Sequence, residues 1–84
     1  MRFSSELRKR REQKGLTLRE LEAKTGISDS MLCRYEKGVG LLEMSFKHAQ
    51  ELSKVFDWSI LDMAQKLAKE EKARRRLEKT KAKP

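Results

Sequence analysis

TLRELEAKTGISDSMLCRYEKG, residues 17 to 38, decides how the chain folds. Thr17 stands where a helix N-cap belongs, and Glu20 three residues later completes the capping-box spacing, so a helix starts at Leu18. Gly26 ends it, as a glycine just past a helix does, and Ser28 at once offers another N-cap side chain. The link is then about three residues, the length of a helix-turn-helix corner, and the next helix runs from Asp29 to about Lys37. That helix either reads DNA bases or is the second arm of an ordinary helical hairpin.

Outward from this pair, Ser4 or Ser5 caps a first helix that carries Leu7 and the basic run RKRREQK before Gly15 stops it. On the other side Gly38 and Gly40 break the chain, and Leu41 and Leu42 are expected to fold back over the core. From Ser45, the residues Phe46, Ala49, Leu52, Val55 and Phe56 recur at helical spacing and mark a fourth amphipathic helix. Ser59 caps a fifth, in which Ile60, Leu61, Ala64, Leu67 and Ala68 continue the stripe until KEEKARRRLEKTKAKP dilutes it. Beyond Lys69 the helix has nothing obvious to pack on, so the chain divides into a domain over 1–69 and a basic helical or frayed tail over 70–84. No internal repeat is visible.

The composition agrees with an all-α reading. One proline, four glycines and no period-two alternation leave nothing for a multi-strand fold, and 84 residues hold one small core. With 21 Lys+Arg against 13 Asp+Glu the formal charge is +8, which favours a polyanionic partner such as nucleic acid or an acidic membrane surface. The excess sits at the two ends: residues 1–26 and 70–84 carry +4 each, 27–44 carry −1 and 45–69 carry +1. A single cysteine forms no intrachain disulfide, and no apolar run approaches membrane-spanning length, so a cytoplasmic protein with no membrane partner is expected. One histidine, one cysteine, no paired ligand spacing and no phosphate-binding loop leave neither an enzyme nor a metal or cofactor site in view.

LRKRREQKGLTLRELEAKTGISDSMLCRYEKG, within residues 6 to 62, resembles the DNA-binding domain of the Cro and phage-repressor family, often called XRE-like. The resemblance implies a compact five-helix domain of the lambda-repressor-like type that binds operators as a homodimer through its third helix, in a bacterial or phage setting. Leu16, Leu21, Ile27, Leu32 and Tyr35 match the family's buried positions and Gly26 its corner glycine. Arg11 and Glu36 match a structural ion pair between the first and third helices, a phosphate contact being the second role for Arg11. Thr17, Arg19, Ser28 and Lys37 fall at positions that meet the DNA backbone, and Asp29, Ser30, Cys33 and Arg34 fall on the groove-entering face. Two departures stand out: Leu18 replaces the phosphate-binding Gln at the start of the second helix, and Glu22 replaces an Ala that lets the two helices approach.

Helical spacing gives the same grouping, because residues 29, 30, 33 and 34 share one face and Leu32 and Tyr35 another. The planar fork of Arg34 suits guanine O6 and N7, or it pairs with Glu22 on the surface. Asp29 either accepts from cytosine N4 or serves only as a helix-start residue favoured by the dipole. Cys33 reads as a small tolerated side chain, His48 as a lone surface histidine, Trp58 as a core anchor or dimer contact, and Met44 and Met63 as gap-filling core. The tail is a solvated helix laced with pairs such as Glu70 with Arg74 and Glu71 with Arg75, a phosphate-contacting arm, or a dimer element. Leu67 and Leu77 are too sparse for a heptad seam, which favours a solvated, DNA-proximal helix. The expected function is a transcriptional regulator, a repressor that occupies a double-stranded DNA operator. The rival is a protein-interaction module of the antitoxin or anti-repressor type that grips a protein partner with the same scaffold.

Overall fold

The computed structural model describes residues 2–82, and their side chains as far as residue 73. Within them lie five helices, α1 (Phe3–Gln13), α2 (Leu18–Thr25), α3 (Asp29–Glu36), α4 (Phe46–Phe56) and α5 (Ile60–Ala82), with a 3-10 turn over Leu41–Glu43. The described residues contain no strand. The punctuation around α2 and α3 is local chemistry. Thr17 Oγ1 accepts from the Glu20 N–H at 3.1 Å while Glu20 Oε1 accepts from the Thr17 N–H at 3.0 Å. Gly26 closes α2 at φ +77°, a left-handed conformation that L side chains resist, and nothing else crowds the position. Ser28 then caps α3 by accepting the Met31 N–H at 3.2 Å.

One core joins all five helices: Phe3 and Leu7 of α1, Leu21 of α2, Leu32 and Tyr35 of α3, Leu52 and Phe56 of α4, and Met63 of α5, completed by Ile27, Leu41 and Trp58 from the connections. Trp58 anchors it where α4 passes to α5. Its ring stacks on Phe3 with centroids 5.2 Å apart, the Arg10 guanidinium lies 4.5 Å from its centre, and its indole N–H donates to Asp62 Oδ2 at 2.8 Å. An aromatic pair of this kind adds about 0.5–1.5 kcal/mol beyond its buried area. Around it runs a charged seam between α1 and α5. Arg10 donates to Glu6 at 2.7 Å, and Lys66 bonds both Glu6 and, at 3.0 Å, Asp62.

Several expectations about packing need correction. The first helix begins at Phe3, so Ser4 lies inside its first turn and neither serine caps it; the N-cap Arg2 supplies no side-chain bond. The missing acceptor comes from α5. Ser4 donates its N–H to Glu70 Oε1 at 3.0 Å and its hydroxyl to Oε2 at 2.7 Å. Hence the reading that α5 has nothing to pack on beyond Lys69 fails at Glu70, which is buried and bonded to Ser4. The side chains of Arg74 and Arg75, on which the two tail pairs depended, fall outside the described residues.

The apolar stripes are also narrower than the spacing suggested. Leu41 is buried, but Leu42 is 53% exposed. Phe46 is 66% exposed because it opens α4, where side chains tilt toward the N-terminus and away from the packed turns. On α5 the inward positions are Met63, Leu67 and Glu70, spaced i, i+4, i+7, while Leu61, Ala64 and Ala68 look outward. The expected stripe merged two neighbouring faces because an apolar count passes over an inward-facing Glu70. His48 is not a lone surface residue either: its Nδ1 lies 2.9 Å from the Tyr35 hydroxyl, joining α4 to α3. Burial pushes the Tyr35 hydroxyl up, so the phenol keeps its proton in this contact.

The charged seam makes stability depend on pH. Burial opposes the charge on Glu6, but bonds from Lys66 and Arg10 and their charges outweigh it and hold the carboxyl below its ordinary 4.5. The Trp58 bond, then Lys66, likewise hold Asp62 below 3.8. For carboxyls held low in the folded state, the unfolded chain binds the proton more readily, so their contribution is complete above about 4.5 and is lost as pH falls through the lowered values. Lys66, raised above 10.5 by Glu6 and then Asp62, contributes below that value and loses its contribution as pH rises through the raised one. Circular-dichroism melts should therefore fall on acidification below 4.5, and Glu6→Gln, less stable at neutral pH, should lose less over the same interval. Parallel curves for the two proteins would contradict this account.

Candidate nucleic-acid interface

Three groups hold α3 in place. Leu32 and Tyr35 bury its inner face. At its start the Asp29 N–H donates to Glu22 Oε1 at 3.0 Å, so a carboxylate from α2 fills an orphan donor that helix starts always leave. At its end Arg11 forms a two-point bond to Glu36, Nε to Oε2 at 2.7 Å and Nη2 to Oε1 at 3.1 Å, and adds a third bond from Nη1 to the Leu16 carbonyl at 2.7 Å. The Arg11 and Glu36 side chains are only 14% and 8% exposed. The Glu36 bond, against the penalty of burial, holds the guanidinium pKa further above its already high value.

What α3 leaves outside is short and polar. Ser30 and Arg34 are exposed one turn apart, and Asp29 and Cys33 beside them are half-buried. Ser28 and Lys37 are exposed at the two ends, with Thr17 and Arg19 on the neighbouring start of α2. Thr17 and Ser28 spend their oxygens as acceptors of the caps, which leaves each hydroxyl hydrogen to donate outward. The Thr17 backbone N–H, then the Thr17 side chain, hold the Glu20 carboxyl below its ordinary 4.5. Arg19, 90% exposed, stands 3.9 Å from the Asp29 carboxylate, so the acid on this face has a cation beside it.

Arg34 does not pair with Glu22, which is engaged at the Asp29 N–H. Its guanidinium lies beside Gly40, where an added Cβ would come 3.6 Å from Nη2 and 3.8 Å from Oε2 of Glu43. Arg11 carried two expected roles. Three of its five N–H directions are committed inside the protein, so it is the least available of the cations expected at phosphates. Sequence reasoning missed Glu22 as the cap of α3, having treated it only as a departure from a small residue. A seven-residue separation has no local signature, although an acid one turn before a helix corner was a clue. Glu43 beside Arg34 carried no signal at all. Among the described residues no three His, Cys, Asp or Glu side chains gather in a way that could hold a metal ion, and no helix is long and apolar enough to cross a membrane.

A helix-turn-helix family model matches residues 7–62, two thirds of the chain. The chain belongs to that family, the XRE-like helix-turn-helix regulators that include Cro and the phage repressors, and which bind DNA. No curated protein and no solved structure matches it.

The Arg11–Glu36 pair gives a direct test of what holds α3. Glu36→Ala leaves the Arg11 charge buried without its partner and should destabilise the fold by about 3–5 kcal/mol. Thermal melts of the two proteins check this, and superimposable curves would show that the pair holds nothing.

Proposed function

We propose that the protein is a sequence-specific regulator of transcription, a repressor that occupies a double-stranded DNA operator as a homodimer with α3 in the major groove. The observation that carries this reading is the division of α3 into a buried face of Leu32 and Tyr35 and an exposed polar face of Ser30 and Arg34. A helix buried that way offers only its polar face to a partner, and the major groove accepts one α-helix. Arg34 donates to a guanine edge, Ser30 adapts to either groove donor or acceptor, and Asp29 accepts from a cytosine or adenine amino group. Cys33 lies against the bases as a small apolar contact. Thr17, Arg19, Ser28 and Lys37 bracket this face and take the phosphates on either side. Arg11 is left out of that set because its guanidinium is engaged.

The exposed Leu42 and Phe46 favour a second reading, a scaffold that grips a protein. Binding to duplex DNA at several salt concentrations separates the two, since phosphate contacts give a linear fall of log K with log salt and a protein-directed surface does not. Selection of bound sites from random duplexes should further yield a pseudo-palindrome with half-sites about one helical turn apart. On the selected site Arg34→Ala is expected to cost about 1–3 kcal/mol and to relax the preference at one base position. An equal loss on selected and random duplexes would remove Arg34 from the bases and place it on the backbone.

A further inference from the structure

Glu70 is a charged residue that the fold buries at a place where three elements meet. Its carboxylate takes both donors of Ser4 in the first turn of α1, a turn whose own N-cap, Arg2, supplies no side-chain bond. The same carboxylate lies against Gly38, the residue after the Lys37 cap of α3: a Cβ added there would run into Oε2. Gly38 is at φ +77°, so the position needs glycine for its backbone and for this approach alike. A local Ser or Asp at position 2 would cap α1 without help. The acceptor comes instead from 66 residues away, and its consequence is to fix the direction of α5 relative to α1 and to the end of the reading helix.

From that point α5 continues as helix to Ala82, roughly 18 Å further at 1.5 Å per residue. Residues 70–84 hold seven Lys and Arg against three acids and only Ala73, Leu77 and Ala82 as apolar side chains. Such a stretch has little to add to a core and much to offer a polyanion. It leaves from Glu70, which lies against Gly38 next to Lys37, at the end of α3 where the proposed complex has a phosphate.

We infer that Glu70 is a positioning residue for DNA binding: by holding α5 to Ser4 and Gly38 it directs the basic end of that helix along the duplex beside the C-terminal end of α3, where it adds phosphate contacts independent of sequence. The inference rests on the DNA-binding reading. Glu70 touches no DNA; it acts through the helix that carries the cations.

The test uses the full chain, random-sequence duplex DNA and a salt series read by fluorescence anisotropy. Circular dichroism at each salt concentration gives the folded fraction. The wild type is compared with Glu70→Ala, with Glu70→Gln, and with a chain carrying Arg74→Gln, Arg75→Gln and Arg76→Gln together. For every phosphate no longer neutralised, the slope of log K against log salt should fall by roughly 0.9, so that affinity responds about 3.5-fold less to a fourfold rise in salt. The triple variant and Glu70→Ala are expected to lose slope while remaining folded. Glu70→Gln, whose amide can accept from the Ser4 N–H and donate to its hydroxyl, should keep the wild-type slope. Should Glu70→Ala not fold, Ser4→Ala, which removes the hydroxyl bond alone, should lose part of the slope.

A wild-type slope in folded Glu70→Ala, even with lower thermal stability, would make Glu70 a structural cap and overturn the inference. An unchanged slope in the triple variant would overturn it from the other side, because the helix end would then reach no phosphate. Loss of binding by Glu70→Ala that tracks conversion to a monomer in sedimentation would do so too, making α5 a dimer element. Absence of any salt-dependent duplex binding by the wild type would instead defeat the DNA-binding reading, and the inference with it, before any variant is compared.

Discussion

The three bonds of Arg11 set the position on which everything at the interface depends. A helix of eight residues such as α3 is about 12 Å long and too short to persist in water by itself. Its direction must come from outside, and apolar contacts alone, being non-directional, leave a short cylinder free to roll on the core. The guanidinium of Arg11 removes that freedom because it is planar and its donors point in fixed directions: two meet Glu36 at the end of α3, and a third meets the carbonyl of Leu16 just before α2. One side chain of α1 thereby orients the end of one helix and the entry to the other. A lysine in its place would keep the charge and lose the fork, which is the part that fixes an angle.

How much of this was legible in the chain follows from how far each interaction reaches. The capping box of Thr17 and Glu20, the glycine at 26 and the Ser28 cap are contained within four residues, so their spacing alone places the boundaries of α2 and α3. The core positions Leu21, Leu32, Leu52 and Phe56 follow from helical periodicity, which reports the inward face of any helix whose inward residues are apolar. Periodicity fails where the inward residue is charged. Glu70 and Ser4 are 66 positions apart and Lys66 and Glu6 are 60 apart, and neither pair has a local signature. Tyr35 and His48 meet across a loop, so a histidine that looks solitary in sequence is a hydrogen-bond partner in the fold. At the candidate interface, the shared face of residues 29, 30, 33 and 34 was legible because one helix presents them; Glu22, which takes the Asp29 N–H from another helix, was not.

That acid bears on an apparent contradiction, an Asp at the start of a helix meant to approach a polyanion. The N-terminus of α3 carries a partial positive charge that would draw a phosphate, but its first N–H is already given to the Glu22 carboxylate. The end of the helix is therefore offset from within, and Asp29, with Arg19 3.9 Å away, adds an acceptor whose charge is partly balanced. Residues 27–44 carry a formal charge of −1 between two ends of +4. A face of this kind gains little from the phosphates of any duplex that comes near.

Specificity is a difference between two affinities, and it grows when the wrong partner is penalised as well as when the right one is favoured. A uniformly cationic reading helix would bind every sequence tightly and separate them poorly. In the proposed complex the cations stand at the flanks, so attraction to the backbone and discrimination among bases become separate properties of separate segments. The flanks bring the protein to any duplex in proportion to the phosphates they meet. The carboxylate acceptors of Glu22 and Glu36 hold the two ends of α3, so that in the proposed complex Asp29, Ser30 and Arg34 must find partners where they stand. A base edge that fails to supply them leaves a carboxylate or a guanidinium desolvated and unpaired, a cost that the flanking cations, blind to sequence, do nothing to relieve.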